Sequence, residues 1–73
     1  MKQFVISRID WFGDEKYLKT GPKETETLWT VDPGKAFKIA DMSTATEIAK
    51  SLRRVVTISS INVEIEPIIR VRS

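Results

Sequence analysis

The four residues Asp32-Pro33-Gly34-Lys35 are of the types found in phosphate-binding loops, and their spacing decides whether they could form one. Such a loop needs glycines well ahead of the lysine, so that successive N–H groups point inward, and a serine or threonine directly after it. Here no earlier glycine has that spacing, and Ala36 follows the lysine. We therefore interpret the segment as a chain reversal. It is either a type II turn or a short helical turn capped by Asp32.

The side chains that most often perform catalysis or bind transition metals are missing. The chain has no cysteine and no histidine, which excludes disulfides, thiolate nucleophiles, imidazole bases and the usual zinc ligands. Glu64 and Glu66 would share a strand face, but two carboxylates without further converging ligands indicate a solvated face. Ser59-Ser60 has no partner that would activate a hydroxyl. We predict a non-catalytic protein with no metal and no cofactor.

Two adjacent aromatic residues, Trp11 and Phe12, stand just before Gly13. Gly13-Asp14 lies between two apolar runs and is typical of a turn. Adjacent residues at a strand end cannot both face inward, so we expect one of the two rings to be exposed at the tip of a hairpin. An exposed ring there predicts either a docking contact for a partner protein or a lid over the edge of the core.

Arginines in the second half of the chain fall into two pairs, Arg53-Arg54 and Arg70 with Arg72. The formal net charge is only +2, far below that of a dedicated polyanion binder. If the end of the helix lies near the last strand, the four guanidinium groups could converge and contact phosphates. The alternative is a solvated rim.

The first half of the chain predicts three strands. Residues 2–9 are rich in β-branched and aromatic types, and residues 17–20 should pair back on them as a hairpin. Residues 27–31 form the third strand, after a polar loop over 21–26. Residues 36–40 are expected to be briefly extended.

One amphipathic helix follows. The apolar residues Ala45, Ile48, Ala49 and Leu52 have the i, i+3, i+4, i+7 spacing of a buried stripe. We expect Ser43 or Thr44 to be the N-cap, and Thr44 with Glu47 has the spacing of a capping box.

The last third predicts strands at 55–58 and 61–66, separated by Ser59-Ser60, and a further alternating segment at 68–72. Whether residues 55–73 form one strand or two is left open. Pro67 cannot donate to a ladder, so the strand should end, bulge or lie at an edge there. An exposed edge could pair with a second copy of the chain, so a homodimer is one candidate assembly.

These elements predict a single α+β domain over residues 1–73, in which a small antiparallel sheet of three to five strands carries one helix on one face. The order would be β-β-β-α-β(β), and the residues expected opposite the helix are Phe4, Ile6, Leu18, Trp29, Val31, Phe37, Ile39, Ile61, Val63 and Ile65. A core this small gives a stability of about 3–5 kcal/mol. The sequence has no signal-peptide pattern and no long apolar run, so we expect a cytoplasmic protein that does not contact membranes.

The order of features resembles a class of short proteins encoded by bacteriophages and prophages, mostly of unknown function. The shared skeleton is "FVISRID", "KYLKTGP", "WTVDPGKAFKI", "STATEIAKSL" and "VEIEP". The resemblance implies the β-β-β-α-β order and a viral accessory role in a bacterial host, and no functional residues come with it. We expect a module that binds a host or phage protein. The alternative is a weak nucleic-acid-binding protein that uses the arginine pairs.

Overall fold

A computed structural model describes residues 2–21, 25–62 and 64–72 of the chain. Its elements, in chain order, are β1 (Gln3–Ile9), β2 (Glu15–Leu18), β3 (Trp29–Thr30), a 3₁₀ turn (Pro33–Lys35), α1 (Met42–Ser51), β4 (Val56–Ile61) and β5 (Ile65–Val71). The strands form one antiparallel sheet in the spatial order β3-β2-β1-β4-β5. Helix α1 packs on one face, chiefly against β1, β4 and β5. The predicted α+β fold, with the order β-β-β-α-β-β, is confirmed.

Strand β1 is the centre of the sheet because it is apolar on both faces. Successive residues of a strand point to opposite faces. Ile6 lies in the main core under α1, whereas Val5 lies in a smaller cluster on the other side, and both are fully buried. We call the side away from α1 the open face. Its cluster joins Val5 to Tyr17 and to Ala36, which directly follows the 3₁₀ turn.

The N-cap of helix α1 lies two or three residues earlier than the sequence suggested. Its N-cap is Asp41, with extended backbone angles, and the Asp41 carboxylate accepts a hydrogen bond from the Thr44 N–H at 2.8 Å. The predicted caps Ser43 and Thr44 are therefore wrong, and so is the capping box with Glu47. The Asp41 carboxylate, two residues before Ser43 and three before Thr44, already accepts from the Thr44 N–H, and both hydroxyls donate to it.

The apolar stripe of the helix is confirmed. Ala45, Ile48 and Ala49 are buried in the main core, and Leu52 packs against it while partly exposed. Of the residues expected opposite the helix, Ile61 and Ile65 pack against the open-face cluster instead. Val31 joins neither cluster. Its side chain is 68% exposed, because β3 ends one residue earlier. Within the predicted extended segment 36–40, Ile39 pairs with β1 through two backbone hydrogen bonds to Phe4, and the Phe37 N–H donates to the Leu18 carbonyl of β2.

The predicted boundary at Ser59-Ser60 is wrong. Strand β4 runs through both serines, and the chain reverses instead around residues 62–64, where the Asn62 N–H donates to the Glu64 carbonyl. Ile61 and Ile65 then face each other across the ladder. Directly paired residues share a face, so the apolar–polar alternation of the sequence continues across the turn. In the sequence alone, the two strand ends therefore look like one continuous strand. Val63 lies outside the described residues.

Pro67 lies on an edge strand and at an irregularity, as its missing N–H predicted. β5 is the last strand of the sheet, and its register shifts between the pairs Ile58–Ile69 and Ser59–Pro67. Ile68 is the extra residue of this bulge. The bulge moves the two halves of β5 to different faces, since Ile65 belongs to the open-face cluster and Val71 to the main core.

Candidate docking surface

The hairpin tip, residues 10–14, is held in one conformation by Asp10. The Asp10 carboxylate accepts hydrogen bonds from the N–H groups of Phe12 and Asp14, each at 2.9 Å, and pairs with the Lys16 ammonium at 3.0 Å. Gly13 has a φ of 85°, which favours glycine. The hydrogen bond from Lys16 and then that from Asp14 lower the pKa of Asp10 below its ordinary value. The tip is therefore pre-formed rather than loosely closed.

Both aromatic rings of the tip point into solvent. Trp11 is 95% exposed and Phe12 is 84% exposed, whereas the sequence predicted the exposure of only one of the two rings. The difference has a local cause. Both residues belong to the turn rather than to β1 or β2, so the inward–outward alternation of a strand does not apply to them.

The four arginines are all exposed and all belong to one end of the sheet. Arg53 and Arg54 lie between α1 and β4, separated by one residue from the start of β4 at Val56. Val56 pairs with Val71, which stands between Arg70 and Arg72. The pairing of β4 with β5 thus brings the two arginine pairs, which are distant in sequence, to the same end of the sheet, where β4 begins and β5 ends.

The hairpin tip lies at this same end. Thr57 pairs with Ser7 of β1 and with Arg70 of β5, so the end of β1, from which the tip projects, lies beside the start of β4. On the open face, Ile9 and Arg70 line a shallow groove of about 320 Å³ together with Ile68. We call this end of the sheet, with the tip and the four arginines, the basic end. It combines exposed rings, an apolar groove and guanidinium groups.

The segment that resembled a phosphate loop is a 3₁₀ turn with a different use of its N–H groups. The Gly34 N–H donates to the Asp32 carboxylate at 2.9 Å, and the Lys35 N–H donates to the Asp32 carbonyl at 3.0 Å. The second of the two predicted turn types is therefore confirmed. The Lys38 ammonium donates to three carbonyls of the same segment, at Pro33, Gly34 and Ala36. The amides that would have held an anion are already occupied.

A second concave site was missed by the sequence analysis. A groove of about 460 Å³ lies between the last turn of α1 and strands β2 and β3, with Arg8 and Trp29 among its lining residues. The signal was present in β1, where Phe4, Ile6 and Arg8 alternate on the helix side of the sheet. A charged residue in a core-facing position is unusual unless it has a partner.

No protein-family model, curated protein or solved structure matches the chain. Among the described residues, no group of acidic side chains is arranged to hold a metal ion, and Glu64 and Glu66 lie on exposed positions. The described part of the chain also contains no helix long and apolar enough to cross a membrane.

Proposed function

We propose that the protein is a small non-catalytic binding module that docks on a partner protein through Trp11 and Phe12. The proposal includes its setting: an accessory protein of a bacteriophage or prophage that acts in the cytoplasm of the bacterial host and modulates a host protein. The setting is supported by the resemblance of the sequence skeleton alone. The docking role is supported by one structural observation, the near-complete exposure of two neighbouring rings on a rigid tip.

The tip has the properties of an energetic anchor. Burying a large apolar side chain contributes about 2–3 kcal/mol, and aromatic residues dominate the binding energy of many interfaces. Ordering a flexible loop on binding normally reduces this gain. Here the Asp10 carboxylate already fixes the tip through two backbone hydrogen bonds, so little ordering remains to be done.

The test compares capture of proteins from bacterial lysate by the immobilised wild type and by a Trp11→Ala/Phe12→Ala variant. Leu28→Ala is the matched control, because Leu28 is also an exposed apolar residue but lies beside Lys19, at the end of β2 away from the tip. We expect a protein retained by the wild type and the control and lost with the double variant. Once purified, that protein should bind the double variant at least about 30-fold more weakly. Identical capture by all three chains would refute docking through the tip.

The second candidate function is weak binding of nucleic acid, and the observation that favours it is the shared location of Arg53, Arg54, Arg70 and Arg72 at the basic end. Phosphate contacts release counterions, so affinity should fall as salt rises. For a single-stranded oligonucleotide, Arg70→Gln/Arg72→Gln should reduce the slope of log K against log salt by about 1.4 if both side chains contact phosphates. A salt-independent affinity, or an unchanged slope, would eliminate this candidate.

A further inference from the structure

The groove beside α1 exists because one helix cannot cover five strands. A helix of ten residues is about 15 Å long and about 10 Å wide, whereas five strands span roughly 19 Å between the outer axes. Since α1 packs chiefly on β1, β4 and β5, the helix side of β2 and β3 is left as the groove. Leu18 and Trp29 line its strand side, and Ile48 and Leu52 line its helix side. We call it the side groove.

Arg8 gives this groove a specific chemistry. Its guanidinium carbon lies 4.8 Å from the centroid of the Trp29 ring, a stacked cation–π contact. A guanidinium donates hydrogen bonds in its own plane, so stacking leaves its edge available for an acceptor. The Nε of Arg8 is buried and has no hydrogen-bond partner among the described residues. Buried donors are nearly always satisfied, so this unpartnered Nε marks Arg8 as a side chain whose hydrogen bonds the fold leaves incomplete.

The surrounding charges select the kind of acceptor. Arg54 also lines the side groove and adds positive charge, while Glu26 and the carbonyl end of α1 add negative charge. Glu26 and the carbonyl end of α1 would both repel a second negative charge on a ligand, which disfavours a phosphate dianion. A carboxylate carries one charge, and its two oxygens match the planar edge of a guanidinium.

We propose that the side groove binds a monocarboxylate with a compact apolar body. The carboxylate accepts hydrogen bonds from the Arg8 guanidinium, and the apolar body lies on Leu18 and Trp29. The carboxylate belongs either to a free organic acid or to the C-terminal residue of a peptide. The side groove shares Arg54 with the basic end, but neither Trp11 nor Phe12 lines it, so the inference is independent of docking through the hairpin tip.

The test is a titration with phenylacetate, followed through the NMR signals of the Arg8 Nε–H and the Trp29 indole N–H. Phenylacetamide has the same apolar body without the charge and is the matched control ligand. We expect millimolar binding of the acid, with both signals shifting together, and at least about tenfold weaker binding of the amide. N-acetylphenylalanine distinguishes the two sources. If it binds like phenylacetate, the groove accepts a peptide C-terminus, and if it does not, the groove is restricted to free acids.

Variants make the assignment specific. Arg8→Gln should weaken phenylacetate binding at least about tenfold, whereas Arg72→Gln, which removes an exposed arginine that lines neither cavity touched by Arg8, should leave it unchanged. Trp11→Ala/Phe12→Ala should also leave it unchanged, so that a failure here is separable from a failure of tip docking. If Arg8→Gln does not fold, the comparison of acid with amide on the wild type still decides. Equal binding of acid and amide, no shift at Arg8, or phosphate binding as tight as phenylacetate would overturn the proposal.

Discussion

Replacing Arg53 by glycine should stabilise the protein. Arg53 directly follows the helix C-cap Leu52 and has a φ of 55°, the left-handed conformation usually taken by glycine at this position. A residue with a Cβ is destabilised by roughly 1–2 kcal/mol in that conformation, and glycine removes this cost. The greater conformational entropy of glycine in the unfolded chain offsets about 0.5–1 kcal/mol of the gain. The net gain should be about 0.5–1 kcal/mol. For a domain of this size it raises Tm by about 2–8 °C.

The assay is thermal and urea denaturation followed by circular dichroism, and the necessary control is Arg53→Ala. Both variants remove the same charge from the negative end of the helix dipole, but only glycine relieves the backbone. The difference between them therefore isolates the conformational term, with glycine more stable than alanine by about 1 kcal/mol. If glycine were no more stable than alanine, the left-handed backbone at Arg53 would carry no strain, and the reasoning would fail.

Two other predictions concern the two faces of the sheet. On the open face, the hydrogen bond that Tyr17 donates to Glu15 at 2.6 Å, and then burial, raise the pKa of Tyr17 to about 12. Because Tyr17 is the only tyrosine, absorbance of the tyrosinate reports it alone, and Glu15→Gln should move the pKa back toward 10.0. Folding raises this pKa, so the stabilisation is complete below pH 10.0 and is lost as the pH rises through about 12. An unchanged pKa in Glu15→Gln would contradict the assignment. Under α1, Ile58→Val should cost about 1 kcal/mol, and Ile58→Ala should cost about 2–5 kcal/mol, which is most of the stability of a domain this small. The exposed Ile9→Val should change stability by less than about 0.5 kcal/mol, and comparable losses at both positions would argue against the observed core.

Local patterns predicted most of the fold because their signals are self-contained. The stripe of Ala45, Ile48 and Ala49 requires only a helix and one apolar surface, and the hairpin requires only Gly13-Asp14 between two apolar runs. The errors arose where two segments compete for the same role. Asp41, Ser43 and Thr44 can all cap a helix, and the charged acceptor proved to be the one used.

The turn before β5 was missed for a different reason. Serines are common in turns, so Ser59-Ser60 resembled a break, yet Ser59 is buried against its neighbours in the middle of β4. Two antiparallel strands joined by a tight turn keep the same alternation on both sides when their terminal residues pair. The periodicity of the sequence therefore could not assign Ile61 and Ile65 to different strands. Their pairing across β4 and β5 in the structure does so.

The candidate sites likewise differ in whether a local sequence pattern or only the complete fold reveals them. Exposure at Trp11 and Phe12 followed from their place beside a turn. The shared location of Arg53-Arg54 with Arg70 and Arg72 depended on the pairing of Val56 with Val71, which no local pattern contains. The side groove depended on how much of the sheet one helix covers, a property of the whole fold.

Features that do nothing for folding accumulate at the basic end, and this gives the strongest physical reason to look for a partner there. A domain with about 3–5 kcal/mol of stability gains from every apolar side chain that it buries. Yet Trp11 and Phe12 stay in solvent on a tip held rigid by Asp10, and Arg53 keeps a backbone conformation suited to glycine. Sequences usually agree with their folds at every level, and departures concentrate where function requires them. Because the three departures lie at one end of one sheet, we propose a contact made by that end as their common cause.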